Sequence, residues 1–271
     1  MSHPRKQFGQ HWLRSEKALQ SIVTAANLKE GDRILEIGPG MGALTQFLLQ
    51  TPATVTAVEI DQDLCPKLVA KFGKNERFLL LQGDILSMDL SAYLGPESYP
   101  NKVVANIPYN ITGPILDKVL GTVAVPTHPA FESMVLLLQK EVAQRITSKP
   151  GSRVYGSLSV HCQYLAECDW ICDVGAKAFF PPPKVDSAVV RLRPLPYPDP
   201  VDQPQWFTTL LRLGFQSRRK MLRNNFKAII DPDRLAVILE QIDANPQARA
   251  EELSVAQWVA LSRSLTPDSA L

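Results

Sequence analysis

Asn106-Ile107-Pro108-Tyr109 puts an amide oxygen, a backbone carbonyl held by a following proline, and an aromatic ring within four residues. This set suits an amino group on a flat heterocycle. A group such as adenine N6 is a poor nucleophile, because its lone pair is delocalised into the ring. Two acceptors set against its hydrogens favour a pyramidal nitrogen and free the lone pair to attack an electrophilic methyl. The Asn106 side-chain oxygen and the Ile107 carbonyl can supply them, and Pro108 restricts the backbone that aims the carbonyl. Tyr109 can stack on the base, an interaction of ~1–3 kcal/mol, and attract the positive charge developing on N6. No general base is required, since the product cation is acidic enough to lose its proton to water. The competing reading is a turn with a packed tyrosine.

The electrophile has a place upstream. Leu35-Glu36-Ile37-Gly38-Pro39-Gly40-Met41-Gly42 carries glycines spaced G-x-G-x-G, which let the backbone turn tightly and approach a ligand without a Cβ in the way. A dinucleotide pyrophosphate takes G-x-G-x-x-G instead, which disfavours a dehydrogenase. A methionine-based cofactor has no phosphate, and the loop leaves room for its amino acid and sugar. S-adenosylmethionine is therefore the expected cofactor. Twenty-one residues after Gly38, Glu59 ends an apolar run, where a carboxylate can accept from both ribose hydroxyls. Asp61 competes for that role, but Glu59 is nearer the strand end. Asp84, in Gln82-Gly83-Asp84-Ile85, can accept from an adenine amino group or simply cap a turn.

These residues need a scaffold that brings several strand ends together. Apolar runs at 33–37, 54–60, 78–81, 103–105 and 134–138 alternate with helix-like spacing at 44–49, 64–72 and 111–120. That alternation predicts a parallel sheet covered on both faces. A helix at 157–165 and strands at 170–174 and 186–192 follow, the last two joined by too few residues for a helical crossover and so expected to pair antiparallel. The expected fold class is α/β, a Rossmann-like methyltransferase with a mostly parallel sheet ending in one antiparallel strand. Eight of the 22 prolines fall between Pro181 and Pro204, and the segment from Pro194 to Pro204 reads as an extended linker. Helical patterns at 206–226, 233–242 and 255–265 then form a small all-helical domain, with Ser254 and Gln257 as a capping box. The expected division is residues 1–195, a linker at 196–204, and residues 205–271.

The length of 271 residues allows one large α/β domain with a small appendage, and 45% hydrophobic with 21% charged residues is ordinary for a globular chain. No apolar run spans a bilayer and no signal peptide is visible, so no membrane partner and a cytoplasmic location are expected. Cys65, Cys162, Cys168 and Cys172 match no zinc spacing, and no metal site is expected. A net charge of +2 says little about nucleic acid, but Arg212 to Lys227 holds six basic residues and no acid. On a helix, Arg218, Arg219, Lys220 and Arg223 would form a basic face suited to an RNA backbone or, more ordinarily, to solvent.

Taken together, these motifs resemble the bacterial ribosomal RNA adenine dimethylases, from end to end. Lys6-Gln7-Phe8-Gly9-Gln10-His11-Trp12-Leu13 is similar to a segment that closes over the cofactor in that family, which usually reads Gln-Asn-Phe-Leu at positions 10–13. Gln139 to Arg145 and Phe179-Phe180-Pro181-Pro182-Pro183-Lys184-Val185-Asp186-Ser187 are also similar. The resemblance implies a cofactor set of His11, Leu13, Gly38, Glu59, Asp84 and Asn106, to which the glycine spacing adds Gly40, with Phe179 a wall for the target base beside Tyr109. It implies methylation of two adjacent adenines in a hairpin loop near the 3′ end of small-subunit ribosomal RNA. The expected partner is that RNA or the assembling 30S subunit, met by a monomer. The large-subunit dimethylases that confer antibiotic resistance share Asn-Ile-Pro-Tyr, but the Pro-Pro-Pro-Lys-Val-Asp-Ser and Arg218 to Arg223 segments look closer to the small-subunit enzymes. An assembly or transcription factor that keeps the fold is the alternative from another class.

Overall fold

The computed structural model describes residues 10–127, 131–195 and 199–266. The 6–9 part of the N-terminal segment and linker positions 196–198 lie outside the described residues.

In chain order, β1 (Trp12–Leu13) and α1 (Glu16–Ala26) precede β2 (Arg33–Ile37), α2 (Ala43–Leu48), β3 (Thr54–Glu59), α3 (Cys65–Phe72) and β4 (Phe78–Gln82). Next come β5 (Lys102–Asn106), α4 (Thr112–Leu120), β6 (Ser133–Gln139), α5 (Lys140–Thr147) and α6 (Ser157–Leu165). The strands end with β7 (Ala166–Val174), β8 (Phe179–Phe180) and β9 (Ser187–Pro194). Seven strands form one sheet in the order β4-β3-β2-β5-β6-β9-β7. Neighbours from β4 to β6 run parallel. Strands buried on both faces must be apolar throughout, and Met134 to Leu138 of β6 are all 0% exposed. The chain leaves β2 toward β3 and β4, then returns to β5 and β6 on the other side. The order therefore reverses between β2 and β5, where sheets of this kind open a crevice at the strand ends.

The mostly parallel Rossmann-like sheet is as the sequence implies, with a difference at its edge. β9 runs antiparallel to β6, from Met134↔Leu192 to Gln139↔Ser187, but it lies inside the sheet, with β7 beyond it. The reason is composition: Ala188, Val189, Val190 and Leu192 are 0% exposed, whereas β7 is half-buried along most of its length. α1 has no counterpart in the sequence reading. Its signals are nonetheless local, with Ser15 Oγ accepting from Ala18 N and buried residues at 18, 19, 22, 25 and 26.

Contacts divide the chain into two compact units, one of residues 1–121, 127–143 and 167–194, the other of 122–126, 144–166 and 195–271. The second unit holds α6, α7 (Pro204–Gly214), α8 (Leu222–Asn225), α9 (Pro232–Gln241) and α10 (Val255–Ser264). Residues 144–166 thus group with the C-terminal helices, a division different from the expected 1–195. Aromatic packing explains it: Tyr155, 0% exposed, has its ring 6.4 Å from Phe215, which lies 5.6 Å from Trp258. The continuous helix expected over 206–226 is broken. At Gly214 a Cβ would come within 2.5 Å of the Trp258 ring, so the helices pack backbone to indole and the chain turns through 215–220 before α8. The basic run therefore lies largely on a turn, not along one helix face. The capping box at Ser254 and Gln257 is present.

Candidate active site

The crevice at the ends of β2, β3 and β5 is a cavity of about 510 Å³, within the range of small-molecule sites. Gly38, Gly40 and Gly42 all have positive φ, at 67°, 60° and 75°, a conformation that glycine adopts without strain. Gly38 N donates to the Val58 carbonyl, tying the loop to β3. A Cβ on Gly40 would also stand 3.3 Å from the Trp12 ring, which lines the cavity.

Gly38, Gly40, Glu59 and Asp84 line this cavity together with His11 and Leu13. Glu59 is 3% exposed, and its two oxygens accept from Gly40 N at 3.0 Å and Asp61 N at 2.9 Å. Each oxygen keeps a further lone pair. Burial pushes the Glu59 carboxyl above its ordinary pKa, against the pull of these N–H groups. Asp61 is outside the lining and accepts from Gln10 Nε2 at 3.0 Å. Asp84 both lines the cavity and caps a turn, its Oδ1 accepting from Leu86 N at 2.9 Å.

One acid had no role in the sequence reading. Glu36 of β2 is 1% exposed yet lines the cavity, with Thr45 Oγ1 donating to its Oε2 at 2.7 Å. Burial raises its pKa to about 8, and the neighbouring Glu59 charge adds to the effect. A lone acid in an apolar strand is the signal that marked it.

Asn106 ends β5, and Ile107, Pro108 and Tyr109 follow along the cavity wall. Asn106 Nδ2 donates to the His11 carbonyl at 3.2 Å. The amide is thereby oriented, leaving Oδ1 as its acceptor. Because this bond uses the His11 backbone, it does not depend on the side chain at position 11. Ile107 N donates to the Leu137 carbonyl and Pro108 has φ −58° and ψ 129°, so the peptide between Asn106 and Tyr109 is fixed from both sides. The Tyr109 hydroxyl meets Ser187 Oγ, and the His11 ring stacks on the Tyr109 ring at 5.7 Å and 22°. His11 Nδ1 donates to the Pro181 carbonyl at 2.8 Å.

The structure does not bring Phe179 to this cavity. β1 and β8 pair antiparallel, with Trp12↔Phe180 and Leu13↔Phe179. The strand alternation sends Phe179, 4% exposed, into the core and leaves Phe180 41% exposed. In the other unit, Arg219, Lys220 and Arg223 are exposed. Arg218 instead donates to the Arg153 and Tyr155 carbonyls at 2.5 and 2.8 Å and meets Glu251 at 3.4 Å. Among the described residues the four cysteines form no disulfide bond, and no helix is long and apolar enough to cross a membrane.

Comparison with known proteins agrees with this geometry. The sequence profile of the family described as Ribosomal RNA adenine dimethylase matches residues 1–266. Ribosomal RNA small subunit methyltransferase A of Nostoc sp. is 59% identical over 268 residues, covering 98% of this chain and 99% of that protein. The protein of the same name from Rippkaea orientalis is 58% identical, covering 98% of each. A solved dimethyladenosine transferase from Plasmodium falciparum superposes with a TM-score of 0.76 at 26% identity, over 93% of this chain and 96% of that one. The 23S rRNA methyltransferase ErmE gives 0.74 at 27% identity, over 94% and 99%. With the profile matching nearly the whole length, the chain belongs to the ribosomal RNA adenine dimethylase family.

Proposed function

We propose that this enzyme transfers methyl groups from S-adenosylmethionine to N6 of two adjacent adenines in a hairpin loop near the 3′ end of small-subunit ribosomal RNA. The product is N6,N6-dimethyladenosine, formed by a monomer acting in the cytoplasm on the assembling 30S subunit. The small-subunit assignment is supported by relatives that share more than half of the residues and carry that name, whereas ErmE shares 27%.

The donor set suits the cofactor: a glycine loop that approaches closely, a carboxylate at the end of β3 for ribose hydroxyls, and Asp84 for an adenine edge. When bound, S-adenosylmethionine supplies an electrophilic methyl on a sulfonium. The chain's own residues do the rest. Asn106 Oδ1 and the Ile107 carbonyl take the two N6 hydrogens and hold the nitrogen pyramidal. Tyr109 stacks on the base, fixing it in plane and favouring the cation that forms. The first product still carries one hydrogen on N6, so the same acceptors serve a second transfer.

The observation that carries this reading is the Asn106 amide, held by the His11 carbonyl so that its oxygen is the acceptor. The decisive experiment incubates the protein with labelled cofactor and small subunits lacking the modification, then identifies nucleosides by mass spectrometry. Two dimethyladenosines per subunit are expected. Label in any other nucleoside, or in large subunits only, overturns the assignment.

A further inference from the structure

Beside the cavity is an aromatic–cation pair that the mechanism does not use. The Arg14 guanidinium carbon stands 4.0 Å above the centre of the Phe180 ring. Both side chains are exposed, and Arg14 makes no ion pair among the described residues. A large exposed aromatic capped by a cation without an acid partner is not explained by core packing or by charge balance.

Its position is set by strand geometry. Residues facing each other across a ladder share a sheet face, as do alternate residues along a strand. Trp12 pairs with Phe180, and Arg14 N extends the pairing by donating to the Ala178 carbonyl at 2.7 Å. Trp12, Arg14 and Phe180 thus share one face. Trp12 and Arg14 both line the cavity, so the pair continues its wall outward, within one strand spacing of about 5 Å.

We propose that Arg14 and Phe180 form a stacking platform for the unpaired base next to the target nucleotide. The proposal rests on the function inferred above. Phe180 is the bottom layer, the planar guanidinium the middle layer, and the flanking base stacks on the guanidinium, as single-stranded RNA bases do on arginine planes. A base drawn into the cavity leaves its neighbour unstacked on one side, and the platform replaces that lost contact. The site then grips a dinucleotide, not a single base.

The test uses single-turnover methylation of undermethylated small subunits at saturating cofactor, comparing the wild type with Arg14→Lys, Phe180→Leu, Phe180→Tyr and the Arg14→Lys/Phe180→Leu double variant. Arg14→Lys keeps the charge but loses the plane. It and Phe180→Leu should each raise the subunit concentration for half-maximal rate by about tenfold. Phe180→Tyr should restore the wild-type value, and the double variant should be little worse than the worse single one. Cofactor affinity by calorimetry should not change. Half-saturation unchanged in Arg14→Lys means that Arg14 acts only as a charge and overturns the platform. Cofactor affinity falling in parallel means that the pair merely holds β1 on β8, and overturns it too. A wild type that methylates no adenine defeats the underlying function itself, a result distinct from either of these.

Discussion

The Tyr109 hydroxyl stands 2.5 Å from Ser187 Oγ. Tyr109 follows β5, whereas Ser187 opens β9 and is 0% exposed. The ring proposed to stack on the target base is therefore anchored at its far end by a strand two places along the sheet. Burial holds the phenol above its usual pKa, outweighing the Ser187 bond, so the hydroxyl stays protonated and the link is neutral. Tyr109→Phe keeps the stacking surface and loses the anchor, which should reduce kcat/KM by about 2- to 12-fold, the equivalent of one neutral hydrogen bond of 0.5–1.5 kcal/mol. Ser187→Ala should match it, and the double variant should be no worse than either single one. Tyr109→Ala should lose more, because the stack goes too. Additive losses in the double variant would separate the two residues.

Asn106→Ala should lower the single-turnover rate by about 10²–10³-fold, the usual effect of removing one transition-state hydrogen-bond partner. It also frees the His11 carbonyl, so a smaller loss of cofactor affinity should accompany it. A near-normal rate at saturating cofactor would exclude activation of the amino group by Asn106.

Glu59→Ala should act mainly on cofactor binding, since it removes the proposed acceptor of two ribose hydroxyls together with the observed acceptor of the Gly40 and Asp61 N–H groups. Each hydrogen bond to a charged group is worth about 1.5–3 kcal/mol, so calorimetry should find affinity down by at least tenfold, with a lower Tm in the cofactor-free protein. Glu59→Gln should fail as well, because its amide accepts at one oxygen only and sets an NH2 donor against an N–H group at the other position. Wild-type affinity in folded Glu59→Ala protein would remove the residue from the ribose role.

Glu36 makes stability depend on pH in the cofactor-free enzyme. Burial lifts its pKa from 4.5 to about 8, so the folded state holds a proton that the unfolded state releases. Its stabilising contribution is complete below pH 4.5 and is lost as pH rises through about 8. The loss within this window approaches about 1.4 kcal/mol per pH unit. Glu36→Gln mimics the protonated side chain and should flatten that decline when urea midpoints are measured from pH 5 to 8. An equal slope in both proteins would show that Glu36 ionises as freely folded as unfolded.

The basic run should separate into two classes. Arg218 serves the Arg153 and Tyr155 carbonyls, so Arg218→Ala should lower Tm. Arg219→Glu, Lys220→Glu and Arg223→Glu combined should leave Tm and cofactor affinity near wild type but abolish subunit binding at moderate salt. For the wild type, each phosphate contact should add about 0.7–0.9 to the slope of log affinity against log salt, and the triple variant should be shallower wherever binding is measurable. Unchanged affinity and slope would make the run a solvated surface.

The sequence by itself determined the elements of the parallel sheet, the cofactor loop and the Asn106 to Tyr109 motif. Each is encoded by covalent neighbours: apolar runs for buried strands, glycines where φ must be positive, a proline to hold one carbonyl. Strand ends then collect these short motifs at one edge, because parallel strands point the same way. α1 was legible by the same signals, in Ser15 and the spacing from Ala18 to Ala26. Tertiary structure alone decided what meets across long separations. Ser187 reaches Tyr109 over 78 residues, Phe180 and not Phe179 emerges beside the cavity, and the Trp258 indole sits against Gly214. The physical reason is register: moving a strand by one residue exchanges its inward and outward side chains. That choice is made by the whole set of buried faces together, and no local run of residues contains it.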